Sequence, residues 1–91
     1  MTDLNYTVRI RFSVAVELAN GSALQRHIDD LAHSLNKTFR RDYQGGCSLI
    51  LEPGVATLKT NGAPREELEA CVHAFRDGMH RNGLRLIYSV E

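Results

Sequence analysis

From Tyr6 to Leu18 hydrophobic and polar residues alternate almost without a break. Tyr6, Val8, Ile10, Phe12, Val14, Val16 and Leu18 fall on one side, and Thr7, Arg9, Arg11, Ser13, Ala15 and Glu17 on the other. Successive side chains of a strand point to opposite faces, so this period of two predicts a long strand with one buried face. Asn20-Gly21-Ser22 ends it. The period then changes. Leu24, Ile28, Leu31, Leu35 and Phe39 recur at three- and four-residue spacing, the stripe of an amphipathic helix. Ser22 with Gln25 reads as a capping box at its start, where side chain and backbone satisfy each other's free donors. Asp29 and Asp30 fall on its outer side. Lys37, Arg40 and Arg41 gather at its end, where cations suit the negative pole of the helix, and Gly45-Gly46 stops it.

Cys47 to Glu52 and Val55 to Thr60 read as two strands joined by Pro53-Gly54. Proline presets the first turn angle and glycine supplies the positive one at the second position. A two-residue loop sets the register, pairing Glu52 with Val55, Leu51 with Ala56 and Leu49 with Leu58. Paired residues point the same way, so Leu49, Leu51, Ala56 and Leu58 are expected on one apolar face. Asn61-Gly62-Ala63-Pro64 then opens a second helix, with Pro64 suited to its first position and Glu66 and Glu67 to its positive end. Leu68, Cys71, Val72, Phe75 and Met79 form its buried stripe, and Asn82-Gly83 its stop. Leu84 to Glu91 is a last strand, with Leu84, Leu86, Tyr88 and Val90 inward.

This order of elements resembles the ferredoxin-like fold: an α+β, β-α-β-β-α-β sandwich with a four-stranded antiparallel sheet and two helices on one face. The resemblance is one of topology and takes in residues 1–91 as a single domain. It implies that the first strand lies antiparallel between the third and the fourth. Arg9 is then expected near Glu91, and Glu17 near Arg85, as cross-strand charge pairs. The fold hosts enzymes, RNA binders, metal carriers, ligand sensors and interaction modules, so it selects no function.

Composition narrows the field. The chain is 43% hydrophobic and 24% charged, ordinary for a globular protein, and eleven basic residues balance eleven acidic ones. Neutrality of this kind disfavours broad electrostatic binding to nucleic acid or an anionic membrane. Cys47 and Cys71 lack the spacing of a zinc or redox motif and read as two reduced thiols packed as small hydrophobes. Neither a basic, apolar leader nor a stretch of transmembrane length is visible, so a cytoplasmic location is the default expectation.

Each chemistry of the fold makes a demand. An RNA-recognition motif stacks bases on aromatic residues of the open sheet face. Here that face is expected to carry Thr7, Arg9, Arg11, Ser13, Ala15, Glu17, Ser48, Ile50, Val55, Thr57, Lys59, Arg85 and Ile87, with no aromatic ring. A metal carrier needs paired thiols after the first strand, where Asn20-Gly21-Ser22 offers none. Glu69, His73, Asp77 and His80 lie near one face of the second helix, a composition that a solvated helix face also has. An acylphosphatase-like enzyme needs a glycine-rich cradle with an arginine in the first loop, and none is present. Cys71 and His73 are two apart on a helix and point different ways, and Asp29 and Asp30 are adjacent and cannot share a pocket. Asn20-Gly21-Ser22 is compatible with a ligand sensor of the ACT type, and helix capping explains the same residues.

The expectation from sequence is therefore a non-catalytic interaction module without a cofactor. It would bind another protein or itself, as a homodimer, an inhibitor or an adaptor, through the open sheet face or an edge strand. The face residues are Arg11, Ala15, Ile50, Val55, Lys59 and Ile87, a partly apolar surface rimmed by charge. The alternative is a weak nucleic-acid binder using Arg9, Arg11, Lys59 and the cluster Lys37, Arg40 and Arg41. No membrane partner is expected.

Overall fold

In the computed structural model, which describes residues 5–12 and 22–91, six elements follow one another. They are β1 (Tyr6–Phe12), α1 (Ser22–Tyr43), β2 (Gly46–Glu52), β3 (Val55–Asn61), α2 (Arg65–Arg81) and β4 (Leu86–Val90). The strands form one sheet in the order β2-β3-β1-β4, every neighbouring pair antiparallel. This is the β-α-β-β-α-β, ferredoxin-like α+β arrangement. The hairpin register follows from its turn: Glu52 opposes Val55, Leu51 opposes Ala56 and Leu49 opposes Leu58. Gly54 takes the positive φ, 79°, that the second turn position requires.

The core lies on one side of the sheet. Val8, Ile10 and Phe12 of β1 meet Ala56 and Leu58 of β3 and Leu86 of β4, and both helices close over them. Leu24, Ile28, Ala32, Leu35 and Phe39 come from α1, and Leu68, Val72 and Met79 from α2. Leu31, Cys71 and Phe75 sit at the margins, half-buried against this cluster. A fully buried leucine or isoleucine contributes about 1.5–3 kcal/mol over its exposed state, so these stripes supply the main drive to fold.

Several expectations need correction. Pro64 is the N-cap of α2 in extended conformation (φ −62°, ψ 149°), one place before the first helical residue. Its fixed φ suits either place, and its carbonyl accepts the Leu68 N–H at 3.2 Å. β4 begins at Leu86 and not Leu84, because Leu84 completes the helix stop. The Leu84 N–H bonds the Met79 carbonyl and the Gly83 N–H bonds the His80 carbonyl, with Gly83 at φ +82°. That pair of bonds is a Schellman motif. Leu51, expected on the buried face, is 39% exposed. It lies on the edge strand, next to the turn and beside Gln25 at the start of α1. The upper part of the first predicted strand, from Ser13 to Leu18, lies outside the described residues, and Ser22, expected as the cap, is the first residue of α1.

Candidate interaction surface

Alternation along four registered strands builds the sheet face opposite the helices row by row. One row runs Ser48, Lys59 and Thr7, with Glu91 beyond Thr7, whose N–H and carbonyl it meets at 2.9 and 2.8 Å. The next runs Ile50, Thr57, Arg9 and Ser89, and the third Glu52, Val55, Arg11 and Ile87. Arg9 reaches diagonally to Glu91, the ion pair expected from the topology. Glu17, the expected partner of Arg85, and Ala15, an expected face residue, lie outside the described residues.

Exposure across this face is uneven. Ile87 is 72% exposed and Ile50 46%, while Arg11 and Lys59 are exposed and Val55 is half-buried. Thr57, expected among the solvated residues, is only 9% exposed, because Ile50 and Arg9 flank it on the neighbouring strands. At the end of the face Arg11, Phe12, Arg85 and Ile87 line a shallow depression of about 280 Å³. It combines an apolar floor with two guanidinium groups. All six aromatic residues of the chain belong to the core side: Phe12 and Phe39 within it, and Tyr6, Tyr43, Phe75 and Tyr88 against it. Base stacking of the RNA-recognition kind therefore has no ring to use on this face.

The two basic groups of the nucleic-acid alternative lie apart. Arg9, Arg11 and Lys59 are on the open sheet face. Lys37, Arg40 and Arg41 are on the outer side of α1, which covers the other face, and they line a depression with His33 and Asn36. Arg41 is engaged by Asp42 at 2.8 Å, a contact that lowers the Asp42 pKa and raises that of Arg41.

Several polar groups of α2 are tied to neighbours. Arg65 pairs with Glu69 at 2.8 Å. His73 Nε2 meets Asp77 at 3.2 Å, and His73 Nδ1 lies 3.0 Å from Arg76, whose guanidinium stacks 5.4 Å over the Tyr88 ring. An arginine N–H only donates, so Nδ1 accepts and the imidazole proton sits on Nε2, facing Asp77. Cys71 and His73 fall on different sides of the helix: Cys71 packs against the core, while His73 is exposed. Burial pushes the Cys47 thiol up to about 11, and burial followed by Glu67 pushes Cys71 up as well. Both therefore stay protonated and weakly nucleophilic near neutrality. Among the described residues no group of three metal-ligating side chains comes together, and no helix is long and apolar enough to cross a membrane. Compared with family models and with curated proteins, the chain matches none.

Proposed function

We propose that the protein is a non-catalytic interaction module that binds another protein, or a second copy of itself, through the uncovered side of its sheet. The supporting observation is the end of that face, where Ile87 and Val55 flank Arg11 and Arg85 stands beside them. Interface anchors combine apolar area with arginine in this way, because a guanidinium makes directed bonds while its stem packs on neighbours. The face carries Arg9, Arg11, Lys59 and Arg85 against Glu52 and Glu91, so its complement is a surface of carboxylates set among apolar side chains. Two copies pressed face to face would oppose Arg11 and Arg85 to like charges, which favours a different protein on this face.

The test is capture from the native host with wild type and Ile87→Glu. Ile87 is mostly solvent-exposed, so the substitution leaves the core intact, yet it removes the apolar anchor and sets a carboxylate against Arg11, masking the guanidinium that a carboxylate of the partner would take. A partner retained at stoichiometric level by wild type and lost at least roughly tenfold with Ile87→Glu is the expected result. Equal retention by both chains would reject this face.

A further inference from the structure

The hydrogen-bond phase of the sheet settles which backbone groups point out of its two edges. In an antiparallel ladder the N–H and carbonyl of one residue point to the same neighbour, and successive residues alternate sides. Thr7 and Glu91 exchange both bonds, so Arg9 does the same with Ser89 and Arg11 with Ile87. Leu86, Tyr88 and Val90 therefore turn their backbone groups outward. Two of these three are occupied by α2. Leu86 meets His80 Nε2, 3.3 Å from its N–H and 3.1 Å from its carbonyl, one or the other bonding according to the tautomer. The Val90 carbonyl accepts from Arg65 at 3.4 Å. One outward group at each end of the β4 edge is thus taken, while among the described residues nothing bonds to either backbone group of Tyr88 or to the Val90 N–H.

The β2 edge is guarded less. The two-residue turn makes Glu52 and Val55 a hydrogen-bonded pair, as it does Ile50 with Thr57 and Ser48 with Lys59. Cys47, Leu49 and Leu51 thus direct their backbone groups outward. The Cys47 N–H is taken by Asn36 Oδ1 at 3.1 Å. Among the described residues, no group bonds to the outward N–H or carbonyl of Leu49 and Leu51. Among the described residues, two of the three exposed large hydrophobic side chains, Ile50 and Leu51, belong to this same strand.

We infer that this edge pairs with the same edge of a second copy, antiparallel about a two-fold axis at Ile50. The inference rests on the protein-binding reading above and adds an occupant for one edge. Two registers make the same number of bonds. With the axis at Ile50, Leu49 of one copy exchanges both bonds with Leu51 of the other, and reciprocally, while the opposed Cys47 and Pro53 exchange none, because Asn36 holds one N–H and proline lacks the other. With the axis at Leu49, Leu49 exchanges both bonds with its own copy, and Leu51 gives its N–H to Cys47 with no bond in return. Side chains choose between them: the first register sets the exposed Ile50 against its own copy and Glu52 against Ser48, with no like charges opposed, whereas the second sets Ile50 against Ser48. The product is a continuous eight-stranded sheet with all four helices on one side. One short strand buries less than the roughly 800 Å² per partner of a standard interface, so the dimer depends on concentration.

Cross-linking reads the register. In a Cys47→Ser, Cys71→Ser background, Ile50→Cys places two thiols in a non-hydrogen-bonded pair with Cα atoms about 4.5 Å apart. That lies within the roughly 4.4–6.8 Å a disulfide spans. Diamide, taking two electrons and two protons from the thiol pair, should link this variant at least tenfold faster than Ile87→Cys, although Ile87 is the more exposed to chance collision. Sedimentation of wild type should show dimer growing from micromolar to millimolar protein, and Leu51→Lys should weaken it roughly tenfold or more without changing thermal unfolding. A wild type still monomeric at millimolar concentration overturns the dimer and leaves the protein-binding face standing. A dimer linked through Ile87→Cys and not Ile50→Cys overturns the edge and moves self-association to the face. Captured partners lost with Ile87→Glu, with or without dimer, judge the face separately.

Discussion

Phe12 and Arg11 are chain neighbours with opposite fates. The period of two sends Phe12 into the core, where it is 8% exposed, and leaves Arg11 on the open face. Phe12→Ala removes a ring from a close-packed interior and should cost about 3–5 kcal/mol. Arg11→Ala removes an exposed stem and should cost less than about 0.5 kcal/mol. Urea denaturation of both variants checks this, and equal costs would mean the face assignment is wrong. Leu51 and Thr57 show where alternation alone misleads. Leu51 has the right parity for burial and stays exposed, because it stands on an edge strand near the turn. Thr57 has the parity for exposure and is buried, because it stands on an inner strand between Ile50 and Arg9. Parity assigns a side; position in the sheet decides how far that side is covered.

At the scale of elements, glycine marks the ends of both helices for different physical reasons. Gly83 closes α2 in the left-handed region, and a Cβ there would meet nothing within 4 Å. Gly45 follows α1 without a positive φ; that conformation falls to Gln44, at φ 55°. Gly45 is needed because it presses on the chain after β3. A Cβ on it would overlap the Asn61 carbonyl, and one on Gly62 would lie 2.7 Å from the Gly45 Cα. Gly83→Ala should therefore cost about 1 kcal/mol, the left-handed penalty less the gain from a stiffer unfolded chain. Gly45→Ala should cost at least about 2 kcal/mol, since two backbones must part. Chemical denaturation of the two variants separates the effects. A cost for Gly45→Ala no larger than for Gly83→Ala would deny the close approach of the α1 end to the β3 end.

At the scale of the whole molecule, placement of charge matters more than its sum. Arg9, Arg11 and Lys59 lie across the sheet from Lys37, Arg40 and Arg41, so a polyanion on one group is turned away from the other. Each group alone neutralises few phosphates, and affinity and its salt dependence scale with that number. Random-sequence DNA or RNA titrated at physiological salt should show no saturation at about 10 µM protein by fluorescence anisotropy. Tight binding that falls steeply with salt, and whose slope is reduced by Arg11→Ala with Lys59→Ala, would establish the nucleic-acid reading instead.

The periods of two and of 3.6, the Pro53-Gly54 turn and the Asn82-Gly83 stop were enough to determine the order of elements, the hairpin register and nearly every core residue. These are local signals: each depends on backbone geometry within a few residues and on which side of one element is apolar. The topology they imply also brought Arg9 to Glu91, from opposite ends of the chain. Tertiary structure alone decided the degree of burial at the sheet margin, the close approach of Gly45 to Gly62, and the difference between the two edges. Asn36, Arg65 and His80 reach across from helices to strands distant in sequence, and no spacing rule encodes which backbone group such a side chain will meet. The surface most open to a partner is set by those contacts, because an edge is available only where no other element has already taken its hydrogen bonds.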